Sequence, residues 1–129
     1  MNATQFQTPL KRARGLGAAK SGAHHWIVQR VTAVALIPLV LWIVYFALRV
    51  AFADYAQARA LVHDPLNAVL LLAFVLALFW HAQLGLQVVI EDYVHTQWLE
   101  IAAQLAVKFF CVLGAVTCAL AIVRIALGQ

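Results

Sequence analysis

The 129-residue sequence has little charge, few acids and few cysteines. Only 11% of its residues are charged and five are Asp or Glu, whereas about 25% of the residues of an average soluble protein are charged. The two cysteines, Cys111 and Cys118, are too few for a disulfide framework. No P-loop, zinc-ligand cluster or nucleophilic triad is readable. The charge deficit excludes an ordinary soluble domain, and no motif indicates nucleotide, zinc or nucleophilic chemistry.

Hydrophobic residues, in contrast, make up 65% of the sequence. They concentrate in three stretches, at about residues 26–53, 66–90 and 101–127. Each stretch exceeds the roughly 20 residues that a helix needs to span a bilayer. The remaining residues are too few for a separate soluble domain. We therefore predict an all-α protein in which residues 1–129 form a single membrane domain with three transmembrane helices.

Basic residues lie mainly before the first stretch or at its start, namely Lys11, Arg12, Arg14, Lys20 and Arg30. Because cytoplasmic flanks carry an excess of Lys and Arg, we expect the N-terminus inside and the C-terminus outside. A basic tail beside a membrane span indicates lipid rather than a nucleic-acid partner. No Ser- and Arg-rich amphipathic presequence is present, which favours a bacterial inner membrane over a mitochondrial one.

Residues 80–93 hold the most informative spacing in the chain. On a helix, Gly85 lies one turn from His81 and about 40° around the axis. Asp92 follows His81 by eleven residues, almost three whole turns, so it returns to nearly the same face roughly 16 Å along the axis. Tyr93 comes next. One face thus carries an imidazole at mid-depth, a gap beside it and an acid at the membrane edge.

These polar residues leave two interpretations open. His81 either hydrogen-bonds a neighbouring helix or, as a neutral imidazole, ligates haem iron. Asp92 and Tyr93 either end a helix at the interface or form a site where the phenol donates to a quinone carbonyl and Asp92 orients Arg30 or a histidine. Arg30 itself either extends to the surface or faces an anionic cofactor group or a quinone carbonyl.

The ends of the spans also carry local signals. Ser21 is a candidate N-cap for the first span. Residues 54–65 read as an outer loop that finishes at Asp64-Pro65, a plausible helix start. Residues 91–100 read as an inner loop, with Glu100 opening the third span.

Two motifs carry a resemblance to a known family. The first is Ser21-Gly22-x-His24 with Gln29-Arg30-x-Thr32-Ala33, and the second is His81-Ala82-x-x-Gly85 followed by Asp92-Tyr93. Together they resemble the hydrophobic membrane anchor of succinate dehydrogenase (complex II), at the entry to its first span and at its haem and quinone signature. Three spans, an inside N-terminus and the chain length also fit, so the resemblance covers most of the sequence.

The resemblance implies a set of roles. His81 would be one axial ligand of the iron of haem b, and a companion anchor protein would supply the other. Tyr93 would hydrogen-bond ubiquinone with Asp92 beside it, and Arg30 and His24 would lie near the haem propionates or the quinone. The chain would be a non-catalytic anchor that passes electrons from an iron–sulfur subunit to quinone, while a flavoprotein subunit oxidises succinate.

Two alternatives remain open. One is the anchor of a quinol:fumarate reductase, which runs the same chemistry backwards and differs in the quinone it uses. The other is a small three-span transporter or scaffold without haem, in which His81 and Asp92 form a proton relay. The two classes differ in haem content and in the proteins that co-purify.

Overall fold

The computed structural model describes residues 20–128, with side chains from residue 23 onward, and all regular structure in this range is helical. The helices are α1 (Lys20–Ala51), α2 (Tyr55–His63), α3 (Pro65–Tyr93) and α4 (Gln97–Ala126). Three of them are long and apolar enough to cross a membrane, namely α1 from Ala23 onward, α3 and α4. The predicted all-α fold with three apolar spans is confirmed.

The long helices extend beyond a bilayer's hydrocarbon core. They contain 32, 29 and 30 residues, which at 1.5 Å per residue is about 44–48 Å, against roughly 30 Å of hydrocarbon. Their ends therefore reach the polar headgroup layers. The boundaries differ slightly from the sequence prediction, since α1 ends at Ala51 and already includes Ser21. Ser21 is thus inside the helix and is not its N-cap.

The segment predicted as an outer loop contains α2. Asp54 caps this helix, because its Oδ1 accepts from the Gln57 N–H at 2.8 Å. Gln57 Oε1 in turn accepts from the Asp54 N–H at 3.2 Å. This reciprocal capping box satisfies amides that a short helix leaves without partners. The loop prediction was wrong here because it followed hydropathy and overlooked the Asp-x-x-Gln signal.

The predicted start of α3 is confirmed. Asp64 Oδ1 accepts from the Asn67 N–H at 3.0 Å, and Pro65 occupies the first helical position, where its missing N–H leaves no bond unmade. The connection from α3 to α4 is shorter than predicted, since only residues 94–96 are not helical. Glu100 lies in the first turn of α4, which begins at Gln97.

The spans form an open arrangement around α3. α3 packs against both α1 and α4, and within residues 20–128 no contact joins α1 to α4. α2 contacts all three long helices at one end of the bundle. There, Arg59 Nη2 donates to the Gly128 carbonyl at 2.9 Å. α3 is therefore the element that fixes the positions of the other two spans.

Few of the described residues are buried. Of residues 23–128 only Phe46, Ala68, Leu84 and Cys111 are buried. Apolar side chains can stay exposed to lipid, because acyl chains are as apolar as leucine. In a membrane, helices associate through close packing rather than through burial of apolar area. The tightest such contact seats the Phe79 ring on Gly114, where an added Cβ would lie 2.6 Å from Cε1.

We predict that Gly114→Ala destabilises the α3–α4 pair by about 1–3 kcal/mol, because the new methyl group overpacks the contact. The measurement is the free energy of unfolding in mixed detergent micelles, followed by circular dichroism. Phe79→Leu lacks the ring atoms that would clash, so adding it to Gly114→Ala should recover part of the loss. Equal stability of Gly114→Ala and the natural sequence would refute this packing role.

Candidate functional site

His81 lies near the middle of α3, is half-buried and faces α1. Its Nδ1 is 3.1 Å from Thr32 Oγ1, a polar contact between two spans. Thr32 Oγ1 also lies 2.9 Å from the Val28 carbonyl oxygen and 3.0 Å from that of Gln29. Within the described chain no hydrogen bond reaches the other ring nitrogen, Nε2. The histidine thus bonds a neighbouring helix through one nitrogen, and the other nitrogen has no hydrogen-bond partner within the described residues.

Gly85 faces α1 as well. A Cβ added to Gly85 would lie 3.9 Å from Gln29 Nε2, an ordinary van der Waals distance. The packing of this chain therefore does not by itself require glycine at this position. The glycine leaves room one turn from His81, beside the polar residues of α1.

Thr32 and His81 also show which residues share one end of the bundle. The end of α1 and the start of α3 line one groove, so the two helices run antiparallel. Residues before Thr32 and residues after His81 therefore lie toward the same end, here called the Tyr93 end (residues 23–30 and 87–96). This end contains four of the sequence-predicted site residues, all exposed: His24, Arg30, Asp92 and Tyr93.

The side chains at the Tyr93 end do not pair as expected. Arg30 lies over the Trp26 ring, with 5.0 Å from Cζ to the ring centroid, rather than beside Asp92. His95 Nδ1 lies 3.1 Å from the Tyr93 carbonyl oxygen, and because a carbonyl only accepts, Nδ1 is the donor. The Tyr93 side chain is 79% exposed. The phenol and the Asp92 carboxylate therefore remain accessible to groups outside this chain.

A second polar cluster joins α3 to α4 near the same end. Gln87 Nε2 donates to Glu91 Oε1 at 2.8 Å. Gln104 Nε2 lies 3.5 Å from Glu91 Oε1 and 3.3 Å from Glu100 Oε1. Neither Glu91 nor Gln104 had a role in the sequence-based prediction. The four-residue spacings 87–91 and 100–104 could have indicated the contacts within each helix, but not the contact between helices.

Two residues of α1 have a structural context that sequence reasoning missed. Thr32 belongs to the first sequence motif, and in the structure it contacts His81 of α3. His25 had no assigned role, and its Nε2 is buried with no hydrogen-bond partner in the described chain. The contact of Thr32 with His81 joins two helices, so periodicity along one helix does not report it.

The end of the bundle opposite the Tyr93 end contains an open groove of about 970 Å³. The groove lies between α2, the C-terminal end of α1 and the N-terminal end of α3. Its cation, Arg49, is exposed and donates to the Tyr45 hydroxyl at 2.8 Å. None of the predicted site residues lines this groove. The candidate site is therefore confined to the middle of α3 and the Tyr93 end.

This donor set suits haem better than a bare metal ion. Residues 20–128 contain no group of three or more His, Cys, Asp or Glu side chains that could hold an ion. Haem iron, in contrast, is held by its macrocycle and needs only axial ligands from protein. His81 Nε2, which has no hydrogen-bond partner in the described residues and lies one turn from Gly85, could supply such a ligand.

Comparison with known proteins identifies relatives that match most of the chain. The family described as succinate dehydrogenase/fumarate reductase transmembrane subunit matches residues 4–115. The succinate dehydrogenase hydrophobic membrane anchor subunit of Rickettsia bellii is 40% identical over 108 residues, 84% of this chain and 86% of the relative. The protein of the same name from Rickettsia typhi is 36% identical over 117 residues, 91% and 94% of the two chains.

A more distant relative is the succinate dehydrogenase membrane anchor subunit of Reclinomonas americana, 27% identical over 104 residues, 72% of this chain and 80% of the relative. No solved structure matches the chain. The resemblance drawn from the two motifs is confirmed by the family match and the Rickettsia relatives. The chain belongs to the succinate dehydrogenase/fumarate reductase transmembrane subunit family.

Proposed function

We propose that this chain anchors a succinate:ubiquinone oxidoreductase in a bacterial inner membrane, with its N-terminus in the cytoplasm. In this proposal it supplies one axial ligand of haem b and part of the ubiquinone-reduction site. The observation that carries the proposal is the accessible Nε2 of His81, on the same unbroken helix as Asp92 and Tyr93. Succinate is oxidised elsewhere, on a flavoprotein subunit, and electrons arrive through an iron–sulfur subunit.

The haem half of the proposal rests on residues of α1 and α3. When bound, haem b supplies a one-electron carrier in the membrane interior. His81 Nε2 would bind the haem iron, and Gly85 would leave space for the macrocycle. Arg30 and His24 precede Thr32 on α1, about 3 Å and 12 Å along the helix toward the Tyr93 end. Basic side chains at those depths suit the propionates or the quinone.

A second protein ligand of the haem iron would come from outside this chain. His24 and His25 lie about 10–12 Å from the level of His81, counted along α1 from Thr32. His95 lies still nearer the end, in the loop after α3. None of them shares the depth of His81. A companion anchor protein would therefore supply the other ligand, and haem b would be shared between the two anchors.

The quinone half rests on the accessible groups of the Tyr93 end. The Tyr93 phenol can donate to a quinone carbonyl, and the adjacent Asp92 carboxylate can accept and orient a neighbouring donor. Reduction of a quinone to a quinol takes up two electrons and two protons, so its site needs groups in contact with water. The exposed end of α3 meets that need. The iron–sulfur subunit would dock against this same end.

A fumarate reductase anchor is the second candidate, because the family description includes that enzyme. It would use the same residues with electrons flowing from quinol to fumarate. The names of the relatives favour the succinate dehydrogenase direction. The type of quinone extracted with the purified complex separates the two candidates.

We predict that His81→Leu removes the haem signal while membrane insertion is retained, because leucine has no lone pair to donate. The measurement is the visible difference spectrum of the detergent-purified complex, recorded after succinate and then after dithionite. His63→Leu is the matched control, since His63 is exposed on α2. An unchanged b-type band in His81→Leu would contradict the ligand assignment. Absence of any band in the natural sequence would remove haem from the proposal.

We predict that Gly85→Ala lowers haem content without destabilising the chain. The added methyl group meets only Gln29 at a comfortable 3.9 Å within the chain, so any loss reports on a bound ring. Haem per protein is measured by the pyridine haemochrome assay, alongside the detergent unfolding midpoint. Full haem occupancy in this variant would show that Gly85 does not provide space for the macrocycle.

We predict that Tyr93→Phe lowers ubiquinone reduction roughly tenfold, the loss expected for one hydrogen bond of about 1.4 kcal/mol in the transition state. Succinate oxidation with a soluble artificial acceptor should stay unchanged, because it bypasses the anchor. Tyr55→Phe is the control, since Tyr55 is 81% exposed at the other end. Equal losses in both assays would argue against a quinone role for Tyr93.

A further inference from the structure

We infer that Thr32 is a positioning residue that holds His81 in the Nδ1–H tautomer and so presents Nε2 as the nitrogen that binds iron. The inference rests on the proposed haem function of His81. It concerns a residue of α1 that does not itself reach the iron, and it follows from the hydrogen bonds around one hydroxyl oxygen.

The donors and acceptors at Thr32 Oγ1 determine the tautomer. The hydroxyl has a single hydrogen and can also accept. Two carbonyl oxygens, of Val28 and Gln29, lie 2.9 and 3.0 Å away and can only accept. The hydrogen therefore points at them, as in the common bond of a helical threonine to its preceding turn. The lone pairs of Oγ1 then face His81 Nδ1, 3.1 Å away, which must carry the proton.

The opposite assignment is unfavourable. If the hydroxyl donated to Nδ1, its lone pairs would face two carbonyl oxygens at about 3 Å in a medium without water. Unsatisfied or repelled polar groups cost several kcal/mol in the hydrocarbon region. The Nδ1–H tautomer avoids this, since each atom then has a suitable partner. It leaves Nε2 unprotonated, the form that a metal requires.

The hydrogen bond from His81 Nδ1 to Thr32 also affects how strongly the His81 imidazole donates electrons to iron. A ligating histidine that donates its second N–H to an acceptor is a more basic ligand and is fixed in orientation. A more basic imidazole stabilises ferric over ferrous iron. Thr32 should therefore lower the reduction potential of the haem. The β-branched side chain of Thr32 has few rotamers, which helps to hold its hydroxyl in a fixed position.

The experiment compares three variants of the assembled complex by potentiometric titration of the haem. Thr32→Val keeps the shape of the side chain and removes the hydroxyl, whereas Thr32→Ser keeps the hydroxyl. Thr117→Val is the control for removing a threonine hydroxyl, since Thr117 is exposed on α4. We expect Thr32→Val to raise the ferrous-to-ferric ratio at a fixed ambient potential by up to about tenfold, a shift of up to about 59 mV for one electron. Thr32→Ser and Thr117→Val should stay within about twofold of the natural sequence, well under that shift.

The outcomes separate this inference from the proposed function. A Thr32→Val haem that titrates like the natural one overturns the role of Thr32 but leaves His81 as ligand. If Thr32→Val loses haem altogether, retention in Thr32→Ser supports the inference and loss in both variants overturns it. Haem that survives His81→Leu would instead remove the proposed function on which the inference rests.

Discussion

The absence of water in the hydrocarbon interior is the constraint on which this structure depends. Backbone amides there must bond within helices, and polar side chains must find protein partners. Thr32 meets this by bonding to its own helix and by accepting from His81. A hydroxyl and an imidazole 49 positions apart in sequence thus set the level at which α1 meets α3. The residues toward the Tyr93 end take their depth from this contact.

The middle span, α3, makes the contacts that fix the positions of the other two spans. On one side α3 meets α1 through His81 and Gly85, and on the other it meets α4 where Phe79 rests on Gly114. Its last turn bears Tyr93. Because the helix is unbroken, its rise alone separates His81 from Tyr93 by roughly 18 Å. A continuous helix therefore keeps a mid-depth imidazole and an interfacial polar group at a constant separation.

Sequence reasoning succeeded where one helix contains the whole signal. Hydropathy predicted the three spans, Asp64-Pro65 predicted the start of α3, and the eleven-residue spacing placed Asp92 a fixed distance from His81. It failed where the signal was weak or involved two helices. α2 is too short and too polar for a hydropathy argument. The contact of Thr32 with His81 requires knowing which faces of α1 and α3 meet, and periodicity along a single helix does not determine that.

The need for partner proteins follows from polar groups rather than from apolar area. Exposed leucines and valines on the spans can contact lipid, so their number does not indicate whether a companion chain is bound. An imidazole nitrogen in mid-span, by contrast, has no lipid group to bond. No other described histidine lies at that depth, so under the proposed function this chain would supply one haem ligand and not two. Under the proposed function, the free nitrogen of His81 would face a second protein chain at the level of Thr32, since within residues 20–128 the outer spans do not contact each other.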